Sequence, residues 1–102
     1  MSKRLVYLEK VTSEGNADSF AWYALALEYS GLDRVDDALA AFQSLRQKDA
    51  SYVPMYLMCG TVLTKHGRVD EAREWLEAGV LSATAKGDTK ALGEIHDALA
   101  KL

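Results

Sequence analysis

Apolar residues recur along most of the chain at intervals of three and four positions, the spacing of one face of an α-helix. Two central stripes consist of Trp22, Leu25, Ala26 and Tyr29, and of Ala38, Leu39, Phe42 and Leu45. Shorter stripes near the ends consist of Leu5, Leu8 and Val11, and of Leu92, Ile95 and Leu99. Because Gly and Pro, which disfavour helix interiors, are scarce, the pattern predicts an all-α fold.

Residues that commonly begin and end helices divide this pattern into six segments. Asp18 or Ser19 can accept hydrogen bonds from the free N–H groups at the start of the second helix, and Asp88 can do so for the last. Gly67 and Gly87 mark the ends of the fourth and fifth helices. The predicted bounds are 2–14 for the N-terminal helix, 69–86 for the fifth and 89–101 for the last.

A five-residue segment occurs twice, with one conservative change. Residues 34–38 read Arg-Val-Asp-Asp-Ala and residues 68–72 read Arg-Val-Asp-Glu-Ala, so the interval is 68 − 34 = 34 residues. At this offset similar residues align in the pairs Trp22 and Tyr56, Leu25 and Cys59, Ala26 and Gly60, Tyr29 and Leu63, and Phe42 and Leu76. A fixed period of this length is typical of a stack of helix-turn-helix units.

The residues at these aligned positions resemble those of the tetratricopeptide repeat. Its pattern of large, large, small and large residues on helix A, then small and large on helix B, is matched by Trp22, Leu25, Ala26, Tyr29, Ala38 and Phe42 and again by Tyr56, Cys59, Gly60, Leu63, Ala72 and Leu76. Two departures are Asp33, where the repeat usually has Gly in the A-to-B turn, and Ala50, where it usually ends in Pro. The resemblance implies a right-handed α–α superhelix of antiparallel helix pairs.

The predicted organisation is a single domain over residues 1–102. It consists of an N-terminal capping helix in 1–16, repeats at 19–52 and 53–86, and a C-terminal capping helix in 88–102. The first helix aligns with helix B of the repeats, so it is interpreted as half of a preceding unit. Because the chain begins with Met and shows no tag or linker, it is expected to be a whole small protein, with a fragment as the open alternative.

Charge and cysteine content narrow the expected partners and location. The net charge of −3 and pI of about 5.3 disfavour nucleic acid and anionic membrane as partners. No segment approaches the length of apolar sequence that crosses a bilayer. One cysteine, Cys59, cannot form an internal disulfide, so a reducing, cytoplasmic location is expected.

The sequence offers no catalytic constellation. His66 and His96 are 30 residues apart (96 − 66), and neither has ligand-type residues at metal-binding spacing. Cys59 aligns with the core position Leu25, which predicts a small buried side chain and no nucleophile. No glycine-rich phosphate loop is present. The protein is therefore expected to have no enzymatic activity, no cofactor and no metal.

The resemblance implies a concave groove lined by the A helices. Its predicted protein-binding residues are Phe20, Tyr23, Leu27, Leu57, Met58, Thr61 and Lys65. One subgroup of the family clamps the terminal carboxylate of chaperone tails with Lys, Asn and Arg, but the corresponding positions here carry Tyr23, Leu27, Met58, Asp88 and Leu92. That clamp is absent, so an apolar or helical ligand is expected. The last helix is expected to cover part of the groove.

Two functional interpretations remain open at the level of sequence. The first is a non-catalytic interaction module, an adaptor or scaffold, which binds a protein or peptide in the groove. The alternative is a self-associating subunit whose groove or N-terminal helix is buried in a homodimer. Trp75 bears on the choice, since it is predicted either to be exposed as a second anchor or to pack against a neighbouring helix.

Overall fold

A computed structural model describes residues 2–102, which contain six α-helices and no strand. The helices are α1 Lys3–Ser13, α2 Ser19–Gly31, α3 Val35–Lys48, α4 Val53–Lys65, α5 Val69–Lys86 and α6 Thr89–Ala100. The all-α prediction is confirmed, and the three predicted ranges differ from the observed helices by at most one residue at either end. None of the helices within residues 2–102 combines the length and apolar character needed to cross a membrane.

Side chains at the predicted caps begin two of these helices. The carboxylate of Asp18 accepts a hydrogen bond from the Ala21 N–H at 2.8 Å, and that of Asp88 accepts one from the Ala91 N–H at 3.1 Å. Each satisfies a donor that has no partner within its helix. The hydroxyl of Ser2 caps α1 in the same way, a cap that was not predicted from the sequence.

The turns after α2 and α4 repeat each other bond for bond at the 34-residue offset. The N–H of Arg34 donates to the carbonyl of Tyr29 at 3.0 Å, and that of Arg68 donates to the carbonyl of Leu63 at 2.9 Å. Between them lies a left-handed residue, which is Gly67 (φ 74°) in the second turn and Asp33 (φ 57°) in the first. Asp tolerates this conformation better than most residues, so replacing the usual Gly leaves the turn intact.

The described chain forms two compact units, one ending at Asp49 and one beginning at Ala50. In the first unit α2 packs against both α1 and α3. Its buried apolar side chains are Leu5, Leu8, Ala24, Leu25, Ala26, Ala38, Leu39, Ala41, Phe42 and Leu45. Trp22 and Tyr29, predicted on the same core stripe, are half-buried instead. The Lys48 ammonium lies 5.6 Å from the Trp22 ring and the Arg34 guanidinium 4.7 Å from the Tyr29 ring, so cations cover their outer surfaces.

In the second unit, α5 and α6 pack on α4 and on each other. Val53, Leu76, Ala83 and Ile95 form a buried cluster, against which Leu57 and the apolar face of α6 pack. Cys59 is buried with a free thiol, as predicted. Trp75 is only 4% exposed, and its ring centroid lies 6.0 Å from that of Tyr56. This removes the alternative in which Trp75 anchors a second interface.

The strict 34-residue offset does not extend to α6. The cap residues of α2 and α4 are 52 − 18 = 34 apart, whereas those of α4 and α6 are 88 − 52 = 36 apart. The interval is longer because α5 has 18 residues where α3 has 14, while the connection that follows it, 87–88, is two residues shorter than 49–52. Leu92, one of the positions compared with the carboxylate clamp, packs against the buried cluster.

Candidate protein-binding site

A cavity of about 540 Å³ lies between α4 and α6 in the second unit. Helix α4 contributes Leu57, Met58, Thr61, Thr64 and Lys65, and α6 contributes Glu94, Asp97, Ala98 and Lys101. We call this cavity with its lining residues the α4–α6 groove. Four of the seven predicted binding residues, Leu57, Met58, Thr61 and Lys65, are thus brought together in one site.

Helical spacing explains why these residues share a site. On each helix the lining positions, single or in adjacent pairs, recur every three or four residues, so they occupy one face. The short connections at residues 66–68 and 87–88 make α4 antiparallel to α5 and α5 antiparallel to α6. Helices α4 and α6 therefore run in the same direction. Lys65 and Lys101, at the carboxyl ends of their helices, consequently lie at the same end of the groove.

The base of the groove is apolar. Leu57 and Ala98 are half-buried because they also pack against the core cluster, and Met58 is half-buried beside Leu57. The Thr61 hydroxyl donates to the Leu57 carbonyl at 2.8 Å, and the Thr64 hydroxyl donates to the Gly60 carbonyl at 2.7 Å. Both hydroxyl donors are used inside α4, so the threonines add methyl surface to the groove and no spare donor.

The rim of the groove carries charge of both signs. Glu94, Asp97, Lys65 and Lys101 are all exposed, which gives two carboxylates and two ammonium groups. Within residues 2–102, neither carboxylate forms a hydrogen bond or ion pair, and the ammonium of Lys101 forms none. The charges of Glu94, Asp97 and Lys101 are therefore available for contacts outside the described chain.

Two of the remaining predicted residues lie outside both described cavities. Phe20 is 62% exposed and lines a separate cavity of about 450 Å³ in the first unit, between α1 and the start of α2, with Tyr7 and Val11 of α1. Tyr23 and Leu27 are half-buried and line neither this cavity nor the α4–α6 groove. The three α2 residues are thus not brought together with one another in either cavity.

Sequence reasoning missed the α6 side of the groove, namely Glu94, Asp97, Ala98 and Lys101, and also Thr64 of α4. From the sequence the last helix is interpreted only as a cover of the groove. Its first residue is also displaced by two positions from the one that the 34-residue offset gives. A signal was present, because Glu94, Asp97 and Lys101 follow helical spacing beside the apolar stripe of α6. Among residues 2–102, no group of three or more His, Cys, Asp or Glu side chains is placed to hold a metal ion.

A family model described as tetratricopeptide repeat matches residues 30–102. The chain belongs to the tetratricopeptide repeat family. The matched range contains every residue that lines the α4–α6 groove. Tetratricopeptide repeat domains are generally non-catalytic modules that bind other proteins. No curated protein matches the sequence.

Solved structures of tetratricopeptide repeat proteins resemble the chain. The crystal structure of a tetratricopeptide repeat domain protein from Salinibacter ruber is 36% identical with a TM-score of 0.74, covering 82% of this chain and 94% of that chain. A solution NMR structure of such a protein from Salinibacter ruber is also 36% identical, with a TM-score of 0.77 and coverage of 82% and 85%. A protein from Bordetella parapertussis, 23% identical, has the same fold, with a TM-score of 0.83 over 99% of this chain and 88% of that chain.

Proposed function

We propose that the protein is a non-catalytic interaction module, an adaptor or scaffold, that holds an apolar or helical segment of a partner protein in the α4–α6 groove. The observation that carries this proposal is the combination of an apolar base, formed by Leu57, Met58 and Ala98, with rim carboxylates that have no partner within residues 2–102. An amphipathic helix places apolar anchors on one face and charges beside them, which is the arrangement that such a groove complements.

The size of the groove and the net charge of the chain support a peptide segment over other ligands. A volume of about 540 Å³ accommodates several side chains of a peptide segment. The net charge of −3 favours a protein over a nucleic acid. We infer a cytoplasmic location from the free thiol of Cys59, because unpaired cysteines are typical of a reducing compartment.

Two matched threonine variants test the groove. Thr61 and Thr84 are both exposed and helical, and each donates its hydroxyl to the carbonyl four residues earlier, but only Thr61 lines the groove. Thr61→Arg should obstruct the groove, whereas Thr84→Arg adds the same side chain elsewhere. We expect quantitative affinity capture from host extract to recover partner proteins with the wild type and with Thr84→Arg, and to lose them with Thr61→Arg.

Equal recovery of partner proteins by the wild type and both variants would show that the partners bind outside the groove. Thermal unfolding should show the two variants to be equally stable, because both substitutions are on the surface. A contribution of Phe20, Tyr23 and Leu27 to partner binding stays a prediction. The double variant Tyr23→Ala/Leu27→Ala, measured in the same capture experiment, tests it separately.

A further inference from the structure

One exposed side of α1 is an amphipathic strip, and its Tyr7 also borders the cavity of the first unit. Val6 and Tyr7 are 51% and 65% exposed, and Lys10 and Glu14 continue the strip at helical spacing. We call Val6, Tyr7, Lys10 and Glu14 the outer face of α1. Within residues 2–102, the side chains of Lys10 and Glu14 form no ion pair.

This strip is distinctive among the described residues. The other large apolar side chains that are exposed, namely Phe20, Leu32, Val69 and Leu81, each lack a second exposed large apolar residue within four positions. Among the exposed large apolar residues described, only Val6 and Tyr7 are neighbours in sequence on one helix. An exposed apolar pair beside charges is typical of an interaction surface.

The outer face of α1 complements the α4–α6 groove in chemistry and in spacing. Lys10 and Glu14 are four residues apart, as are Asp97 and Lys101, so both pairs span about 6 Å along a helix. When α1 runs in the same direction as α6, Lys10 lies opposite Asp97 and Glu14 lies opposite Lys101. Both contacts then join opposite charges.

The same register places the apolar parts together. Val6 and Tyr7 precede Lys10 by one turn, and Leu57 and Met58 lie two turns from the end of α4 at which Lys65 and Lys101 are found. The apolar pair of α1 therefore meets the apolar base of the groove beside Glu94, while Lys10 meets Asp97 and Glu14 meets Lys101 beyond it. Apolar contact then supplies affinity, and the charge pairs fix direction and register.

We propose that the α4–α6 groove binds the outer face of α1 from a second copy of this chain. The proposal rests on the proposed function, because it names the helix that the groove receives. Since α1 uses only its outward side, it stays packed on its own chain. The two surfaces differ from each other, so the contact is heterologous and copies join head to tail.

Charge reversal in two separate variants tests the contact. Lys10→Glu places a carboxylate opposite Asp97, and Asp97→Lys places an ammonium opposite Lys10, so each variant alone should associate at least about tenfold more weakly than the wild type. In an equimolar mixture, α1 of either variant meets an opposite charge in the groove of the other. The two substituted side chains form one such pair, and the unchanged Lys10 and Asp97 form the second. Sedimentation velocity over a range of concentrations measures the average mass of each sample.

We expect the wild type to associate with rising concentration, each variant to remain smaller, and the mixture to recover most of the lost association. Lys86→Glu makes the same change of charge at an exposed position outside the groove, so it should leave association unchanged. Added salt should weaken the wild-type contact, because exposed charge pairs are screened.

A wild type that stays monomeric at near-millimolar concentration overturns this inference, as does a mixture that associates no better than its components. The same results distinguish failure of this inference from failure of the proposed function. If the wild type is monomeric while Thr61→Arg still abolishes capture of other proteins, the groove binds a different partner and only the self-association is wrong.

Discussion

At the scale of single residues, the hydroxyl of Tyr29 joins α1 to α2 within the first unit. It donates a hydrogen bond to the carboxylate of Glu9 on α1, and the Arg34 guanidinium lies over its ring. Burial, the hydrogen bond to Glu9 and the negative charge of Glu9 raise the pKa of Tyr29 from 10.0 to about 12. Arg34 acts in the opposite direction and Asp37 adds to the rise.

This pKa predicts loss of stability in alkaline solution. Between pH 10 and about pH 12 the unfolded chain loses the Tyr29 proton while the folded chain retains it. The unfolded state then binds fewer protons, so the free energy of unfolding falls as the pH rises. The stabilisation from this hydroxyl is complete below pH 10 and declines through that interval. Urea unfolding at several pH values measures it.

Tyr29→Phe is the control, because it removes the titrating group and keeps the ring. The stability difference between wild type and this variant should shrink as the pH rises from 10 to about 12. A difference that stays constant over the interval would show that Tyr29 titrates normally in the folded protein.

At the scale of helices, small residues set how closely the elements of the second unit approach. A Cβ atom at Gly79 of α5 would lie 2.6 Å from the Cβ of Tyr56 on α4 and 3.1 Å from the Cδ1 of Ile95 on α6. No flexible chain end can yield at the nearer contact. Gly79 therefore lets α5 approach α4 and α6 closely, and these are the two helices that form the groove.

Gly79→Ala should destabilise the protein by about 1–3 kcal/mol, the usual cost of overfilling a packed site. Gly93→Ala is the matched control, since Gly93 lies inside α6 with open space around it. There the added methyl favours the helix by about 1 kcal/mol. Chemical denaturation of both variants should give changes of opposite sign. A Gly79→Ala variant at least as stable as the wild type would mean that the α4–α5 contact adjusts to the extra atom.

The helices were predictable from sequence because each depends on local signals. Apolar stripes located them, while Asp18, Asp88 and Gly87 fixed their ends within a residue. The groove was predictable only on the α4 side, where Leu57 and Met58 could be assigned by analogy with the family. The α6 side depends on the length of α5 and on packing between distant residues, which a fixed period does not encode.

At the scale of the whole molecule, membership of the family accounts for the framework, and the last helix carries two roles. A repeat buries its apolar face only against a neighbour, and α6 is that neighbour for the second repeat. Here α6 buries Ile95 in the core cluster and presents Glu94 and Asp97 to the groove. The residues that stabilise the second unit and those proposed to contact a ligand therefore lie on two faces of one helix.

Ile95→Ala tests the stabilising face. Ile95 has no exposed surface and belongs to the central cluster, so the truncation should lower the free energy of unfolding by about 2–5 kcal/mol. Leu81→Ala is the contrasting variant, because Leu81 is 75% exposed and its truncation should change stability by less than about 0.5 kcal/mol. Urea unfolding measures the change in the free energy of unfolding for both variants. A small effect at Ile95 would mean that α6 is dispensable for the second unit, and the groove would then lack a stable wall.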